Sequence, residues 1–128
     1  MTAQPGKSVL VVEDDKAVRE WIVETLQTAG YAVRPVSTAH DALTSLRSNG
    51  VDLVLLDLGM PAGTMQGMEL LARLREDNAW RELPVVILSG YGDLVNRDIT
   101  SRLGVSAILS KPVHRVEHLV AVLRRVLG

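Results

Sequence analysis

Residues 53–57 read Leu-Val-Leu-Leu-Asp, so four aliphatic side chains run directly into a carboxylate. An apolar run of this length without alternation is typical of a parallel strand covered on both faces. Three other runs also end on polar residues: 9–12 before Glu13 and Asp14, 85–88 before Ser89, and 107–110 before Lys111. The carboxyl ends of parallel strands meet at one edge of a sheet, so this pattern predicts a shared polar pocket there.

Segments with helical spacing of apolar residues alternate with these runs, which is the pattern of βα units around a parallel sheet. The pattern predicts five strands and five helices, and hence a doubly wound α/β sheet. Strand two is expected at an edge, because Pro35 cannot donate a hydrogen bond within a central strand. The predicted strands are 8–13, 31–36, 52–57, a fourth that opens at Pro84, and 107–110. The predicted helices are 16–29, one from Ser37 or Thr38 to about residue 49, one after Gly67 that fades near Trp80, about 93–103, and about 115–127.

The bulk composition limits the class of protein. A chain of 128 residues suits one domain, which we place at residues 8–127 after a short tail at 1–7. Hydrophobic residues make up 47%, charged residues 23%, and the net charge is −1, so neither disorder nor nucleic-acid binding by bulk charge is expected. Cysteine is absent, no signal peptide is evident, and no apolar run approaches the ~20 residues that span a bilayer. We therefore expect a soluble, cytoplasmic protein without a membrane partner.

The polar residues at the strand ends are of the types that a metal and phosphate site requires. Glu13, Asp14 and Asp57 offer hard oxygen ligands, which suit Mg²⁺ and also Mn²⁺. A carboxylate can also act as a nucleophile and form an aspartyl-phosphate. Two simpler interpretations stay open: the acidic pair after strand one could be solvated or cap a helix, and Lys111 could neutralise the acidic cluster without taking part in chemistry.

With these residues in place, the chain resembles a response-regulator receiver domain over about residues 7–127. The resemblance implies a flavodoxin-like (βα)5 sandwich with a five-stranded parallel sheet of order 2-1-3-4-5. Each motif is common by itself, but their order and spacing together are specific. The matching motifs are Val12-Glu13-Asp14-Asp15, Asp57-Leu58-Gly59-Met60-Pro61, Leu88-Ser89-Gly90 and Lys111-Pro112.

The resemblance also implies a role for each residue of the pocket. Asp57 would accept a phosphoryl group from a phosphohistidine, with Lys111 and Ser89 as catalytic partners that contact the phosphoryl oxygens. Asp14, Asp57 and the backbone carbonyl of Gly59 would ligate Mg²⁺ (or Mn²⁺) directly, and Glu13 would act through a metal-bound water. The chain would then catalyse only its own phosphorylation and dephosphorylation, and would not be an enzyme in the ordinary sense.

The implied partner on the input side is a histidine kinase or phosphotransfer domain. On the output side, the implied partner is a downstream protein or a covalently linked output domain. No direct contact with nucleic acid is expected. One alternative is a phospho-independent interaction module with the same fold. Another is a small hydrolase with an aspartyl-phosphate intermediate, which we rank last because the Asp57-Leu58-Gly59 segment lacks a second carboxylate.

The sequence departs from the family pattern in two places. Ile108 stands where receiver domains usually carry Tyr or Phe, so this position lacks the aromatic ring at which the family's relay ends. We expect Ile108 to fill a core strand. The loop after Asp57 is two residues longer than usual and carries Gln66 in place of Asp, which could alter kinase recognition or phosphate lifetime. Tyr91 could shield the phosphoryl group from water or could pack on the surface.

The last predicted helix carries more apolar residues than one face needs. We expect the core face to comprise Val116, Leu119, Val120, Leu123 and Leu127. Val122 and Val126 then form a shoulder at one side of that face. This shoulder is either scattered surface valine or the contact of a homodimer formed through the last helix.

Overall fold

The structure is a computed structural model, and it describes residues 7–48, 50–90, 101–111 and 116–128. Five parallel strands form one sheet of order β2-β1-β3-β4-β5, as the sequence predicted. The strands are β1 (Ser8–Val12), β2 (Ala32–Val36), β3 (Leu53–Asp57), β4 (Val85–Ser89) and β5 (Ala107–Ser110). The helices with described bounds are α1 (Lys16–Thr28), α2 (Ala39–Ser48), α3 (Gly67–Glu76) and α4 (Val116–Leu127).

Two apolar layers cover the sheet, one on each face. Helices α2 and α3 pack on the face that carries Leu10, Leu56 and Ile87. Helices α1 and α4 pack on the opposite face, against alternate residues of the same strands such as Val11 and Leu55. Strand β3 is buried along its whole length, which explains why its sequence is apolar without alternation.

Local sequence signals set most helix ends where they were predicted. Asp15 caps the start of α1, and its carboxylate accepts a hydrogen bond from the Val18 amide at 2.9 Å. Thr38, rather than Ser37, caps α2 by accepting from the Asp41 amide at 3.0 Å. Gly30 follows α1 with a positive φ of 102°, as expected of a left-handed stop.

The predicted end of the third helix was wrong, because α3 stops at Glu76 and does not reach Trp80. Asp77 leaves the helix with an extended backbone, and its carboxylate accepts from the Ala79 amide at 2.8 Å. This local bond offers the chain an alternative to continuing the helix. Most of the predicted helix at 93–103 lies outside the described residues, as do Tyr91 and Pro112; residues 101 and 102 are helical.

The predicted faces of the last helix were also partly wrong. Val122 is buried and Val126 is partly buried against the sheet, whereas Val116 is 43% exposed. The stripe that faces the core runs at i, i+3, i+4 and i+7 through Leu119, Val122, Leu123 and Val126. The shoulder predicted at Val122 and Val126 therefore packs toward the core and is not a separate surface. A homodimer formed through the last helix stays a prediction.

Ile108 was predicted to fill the core but is 38% exposed. Strand β5 lies at the edge of the sheet, and its neighbour Leu109 is the residue that turns toward α1 and α4. An edge strand of four residues is covered less completely than β3 or β4, which explains the difference. None of the helices described is both long enough and apolar enough to cross a membrane.

Arg75 ties α3 to two other segments through backbone carbonyls. Its Nε donates to the Leu103 carbonyl at 2.5 Å, and its Nη1 donates to the Trp80 carbonyl at 2.8 Å. A longer contact of 3.4 Å joins Nη2 to the Gly104 carbonyl. Burial lowers the pKa of Arg75, because these neutral acceptors only partly replace its hydration.

We expect Arg75→Met to lower the free energy of unfolding by about 1–2 kcal/mol, because the freed carbonyls are only partly reached by water. Arg73→Met is a matched control on the same helix. Arg73 pairs with Glu69 across the exposed surface at 2.8 Å, and such pairs contribute little. Urea unfolding of both variants checks the prediction, and equal losses would contradict it.

Candidate functional site

The polar residues at the carboxyl ends of β1, β3 and β5 converge at one edge of the sheet, as the sequence predicted. Asp57 is the last residue of β3 and is 3% exposed, while Glu13 directly follows β1 and is fully buried. Lys111 directly follows β5, and its amide donates to the Ser89 carbonyl at 2.8 Å. The parallel register brings these strand ends together, because β1 pairs with β3, β3 with β4, and β4 with β5.

Lys111 holds the two buried carboxylates together. Its Nζ donates to Oε1 of Glu13 at 2.8 Å and to Oδ2 of Asp57 at 3.2 Å. The lysine side chain is itself only 21% exposed. A buried carboxylate without a partner is costly, so this ammonium is what allows two of them to lie side by side.

Each carboxylate also accepts a backbone hydrogen bond. Oε2 of Glu13 accepts from the Asp15 amide at 3.2 Å, so both of its oxygens have donors. Oδ1 of Asp57 accepts from the Gly59 amide at 3.2 Å. These bonds fix the direction of both carboxylates before any ligand arrives.

Two pKa values in this cluster lie above their ordinary values. Burial raises the pKa of Glu13, and the neighbouring Asp57 adds to the rise, which the hydrogen bond from Lys111 only partly offsets. Burial would lower the pKa of Lys111, but the hydrogen bond to Glu13 and the charge of Asp57 outweigh it and raise the pKa. Lys111 therefore remains an ammonium at neutral pH.

Asp14 completes a group of carboxylates that can hold a metal ion. Glu13, Asp14 and Asp57 each present an oxygen atom, and these atoms lie within 4.8 Å of one another. Asp14 is exposed while the other two are buried, so the group opens toward solvent on one side. The all-oxygen donor set suits Mg²⁺ or Mn²⁺.

Ser89 and Gly59 lie beside this group. Ser89 ends β4 one residue beyond Leu88, the partner of Asp57 in the sheet. Gly59 is two residues beyond Asp57, in the loop that leads to α3. Both residues are partly buried.

Arg19 supports the acidic loop and was missed by the sequence analysis. Its Nη1 donates to the backbone carbonyl of Glu13 at 2.9 Å and to that of Asp14 at 3.4 Å. The side chain thus reaches back from the first turn of α1 to hold the segment that carries two of the carboxylates. Its acceptors are backbone atoms, so the only signal in the sequence is a basic residue shortly after the acidic pair.

The sequence matches the response regulator receiver domain over residues 9–124, which is most of the chain. The chain belongs to the response regulator receiver domain family. The receiver domain is 33% identical over 123 residues to the phosphate regulon transcriptional regulatory protein PhoB of Pseudomonas aeruginosa, a match that covers 94% of this chain and 53% of PhoB. It thus spans about half the length of that relative.

Solved structures of similar proteins share the fold over nearly the whole chain. The chemotaxis protein CheY4 of Vibrio cholerae superposes with a TM-score of 0.84 at 27% identity, covering 95% of this receiver domain and 99% of CheY4. A sensor protein from a Polaromonas species superposes with a TM-score of 0.85 at 27% identity, covering 96% and 97% of the two chains. The flavodoxin-like sheet order predicted from the sequence is therefore confirmed.

Proposed function

We propose that this receiver domain of a two-component system is switched by phosphorylation of Asp57. The observation that carries the proposal is the single ammonium of Lys111, which donates to Glu13 and to Asp57 at 2.8 and 3.2 Å. A third carboxylate, Asp14, lies within 4.8 Å of these two at the open side and supplies a further oxygen ligand. The site combines a positioned nucleophile, a fixed cation and an oxygen-ligand group, which are the parts that phosphoryl transfer requires.

In the proposed reaction, a carboxylate oxygen of Asp57 forms a bond to phosphorus while the bond from phosphorus to the histidine nitrogen breaks. The electron pair of the broken bond leaves with the nitrogen. The hydrogen bond from the Gly59 amide and the contact with Lys111 orient the carboxylate for this attack. Lys111 can then contact a phosphoryl oxygen, and the Ser89 hydroxyl is proposed to donate to another.

Mg²⁺, or Mn²⁺, fits the donor set of this site. Asp14, Asp57 and the Gly59 carbonyl would hold the ion directly. Glu13 would act through a water, which is consistent with both of its oxygens already accepting hydrogen bonds. The bound ion would neutralise charge on the phosphoryl oxygens.

We propose a histidine kinase or phosphotransfer domain as the phosphoryl donor. The output would pass to a downstream protein or to a covalently linked output domain. The transcriptional regulator PhoB is about twice as long as this chain and CheY4 is about equal in length, so both arrangements occur among similar proteins. A cytoplasmic location stays a prediction from the sequence.

The test is incubation with acetyl phosphate, with and without Mg²⁺, followed by intact mass measurement of the parent and of Asp57→Asn. We expect a phosphoryl adduct that requires the metal and is absent from the variant. Asp52→Asn is a matched control, because Asp52 precedes the same strand and its carboxylate accepts from the Ser8 amide far from the site. A folded parent that binds Mg²⁺ but forms no adduct would favour the phospho-independent interaction module.

A further inference from the structure

The loop from β3 to α3 closes on itself. The Gly67 amide donates to the Leu58 carbonyl at 3.2 Å, which joins the two ends of the loop. Within the loop, Thr64 donates to the Pro61 carbonyl from its amide at 3.1 Å and from its hydroxyl at 2.6 Å. The two additional residues noted in the sequence therefore fold into an ordered turn beside the candidate site.

The side chain of Gln66 bonds across this loop. Its Nε2 lies 3.2 Å from the carbonyl oxygens of Met60, Pro61 and Thr64, so two N–H groups serve three acceptors. Its Oε1 accepts from the Met60 amide at 3.1 Å. Gln66 is exposed to solvent, yet both the oxygen and the nitrogen of its side-chain amide form hydrogen bonds with the loop backbone.

The contact with Met60 fixes more than one residue. The Met60 N–H and the Gly59 carbonyl belong to the same planar peptide unit, and in a trans peptide they point in opposite directions. The preceding peptide unit is anchored as well, because the Gly59 amide donates to Oδ1 of Asp57. Glycine restrains its own dihedral angles weakly, so these two bonds decide where the Gly59 carbonyl points.

We infer that Gln66 is a positioning residue that turns the Gly59 carbonyl away from the loop and toward the metal site. This inference rests on the proposed function, in which that carbonyl is a metal ligand. Gln66 touches neither the metal nor the phosphoryl group and acts through the Gly59–Met60 peptide. Outer residues that orient a ligand in this way commonly change metal affinity by about 10–100-fold when they are replaced.

Gln66→Leu removes the hydrogen bonds and keeps a side chain of similar size. We expect Mg²⁺ to bind this variant about tenfold more weakly than the parent in isothermal titration calorimetry. We also expect the Met60 amide to exchange its hydrogen faster in the metal-free protein. Addition of Mg²⁺ should shift the ¹³C signal of the Gly59 carbonyl less than in the parent.

Two control variants separate positioning from general loop order. Thr64→Ala removes the hydroxyl contact with Pro61 but leaves the Gln66 contact with Met60 in place. Gln27→Leu makes the same chemical change at an exposed position on α1. We expect both controls to bind Mg²⁺ within about twofold of the parent.

The possible results lead to different conclusions. Equal Mg²⁺ affinity in Gln66→Leu and the parent would overturn the inference and leave the proposed function intact. An equal loss of Mg²⁺ affinity in Thr64→Ala would also overturn the inference, because the order of the whole loop would then set the affinity. A parent that binds no Mg²⁺ would refute the metal-dependent function itself, and the inference with it.

Discussion

Replacement of Lys111 by methionine is expected to destabilise the domain by up to about 3 kcal/mol at pH 7 and by much less near pH 4.5. The variant keeps the length of the side chain but removes the only cation that pairs with the carboxylates of Glu13 and Asp57 within the described residues. Removing one partner of a buried ion pair is strongly destabilising, because the other charge stays buried.

The size of this loss is limited by protonation. Glu13 has an ordinary pKa of 4.5, so holding it neutral at pH 7 costs about 3 kcal/mol. Its pKa is already raised in the parent and would rise further without Lys111. A folded state with a raised carboxyl pKa binds more protons than the unfolded state, so its stability falls as the pH rises above 4.5. The difference between variant and parent should therefore grow from pH 4.5 to pH 7.

Urea unfolding in the presence of a chelator measures this effect, since a divalent cation could replace the missing ammonium. Lys16→Met is the control, because Lys16 is 80% exposed and meets Glu20 only at 4.0 Å. We expect that variant to stay close to the parent at every pH. A loss of unfolding free energy in Lys111→Met that does not change with pH would contradict the proposed protonation of the buried Glu13.

Gly67→Ala is expected to cost about 2 kcal/mol of stability, although alanine is the better helix former. Gly67 is the first residue of α3 and lies against the end of β3. A Cβ atom at this position would lie 2.8 Å from Cα of Leu58 and 2.9 Å from the carbonyl oxygen of Asp57. Both atoms belong to the backbone, so the strand end or the helix would have to move.

Gly50→Ala provides a matched control. A Cβ atom there would meet nothing within 4 Å, and its backbone does not have a positive φ. The substitution should be neutral or slightly stabilising, because alanine restricts the unfolded chain. Urea unfolding compares the two variants, and amide spectra of Leu58 and Gly59 test whether only Gly67→Ala disturbs the candidate site. Similar stability of the two variants would show that α3 tolerates displacement from β3.

The convergence of the site could be predicted because it depends on two strong sequence signals. Apolar runs without alternation indicate buried parallel strands, and each polar residue that ends such a run lies at the same edge of the sheet. Asp57 and Lys111 are 54 residues apart in sequence but in contact for this reason. The resemblance to receiver domains then suggested a role for each residue.

The features that were missed share a physical cause. Arg19, Arg75 and Gln66 bond to backbone carbonyls, and every residue carries a carbonyl, so the partner leaves no trace in the sequence. The core face of helix α4 was predicted partly wrongly because its valines are chemically equivalent. Only packing against the sheet distinguishes the buried Val122 from the exposed Val116. The burial of Ile108 was predicted wrongly because the sequence pattern of a strand does not show how completely an edge strand is covered.

The edge strand β2 also affects how readily the folded chain can associate with other copies of itself. Ala32 donates to Lys7 and Val36 accepts from Glu13, so the backbone groups of these alternate residues point toward β1. The backbone groups of the intervening residues, Val33 and Pro35, point away from β1 and out of the sheet edge. Proline has no amide hydrogen, so one of the outward donors that an incoming strand would need is missing. The same residue that marks the strand as an edge thus works against aggregation by addition of a sixth strand.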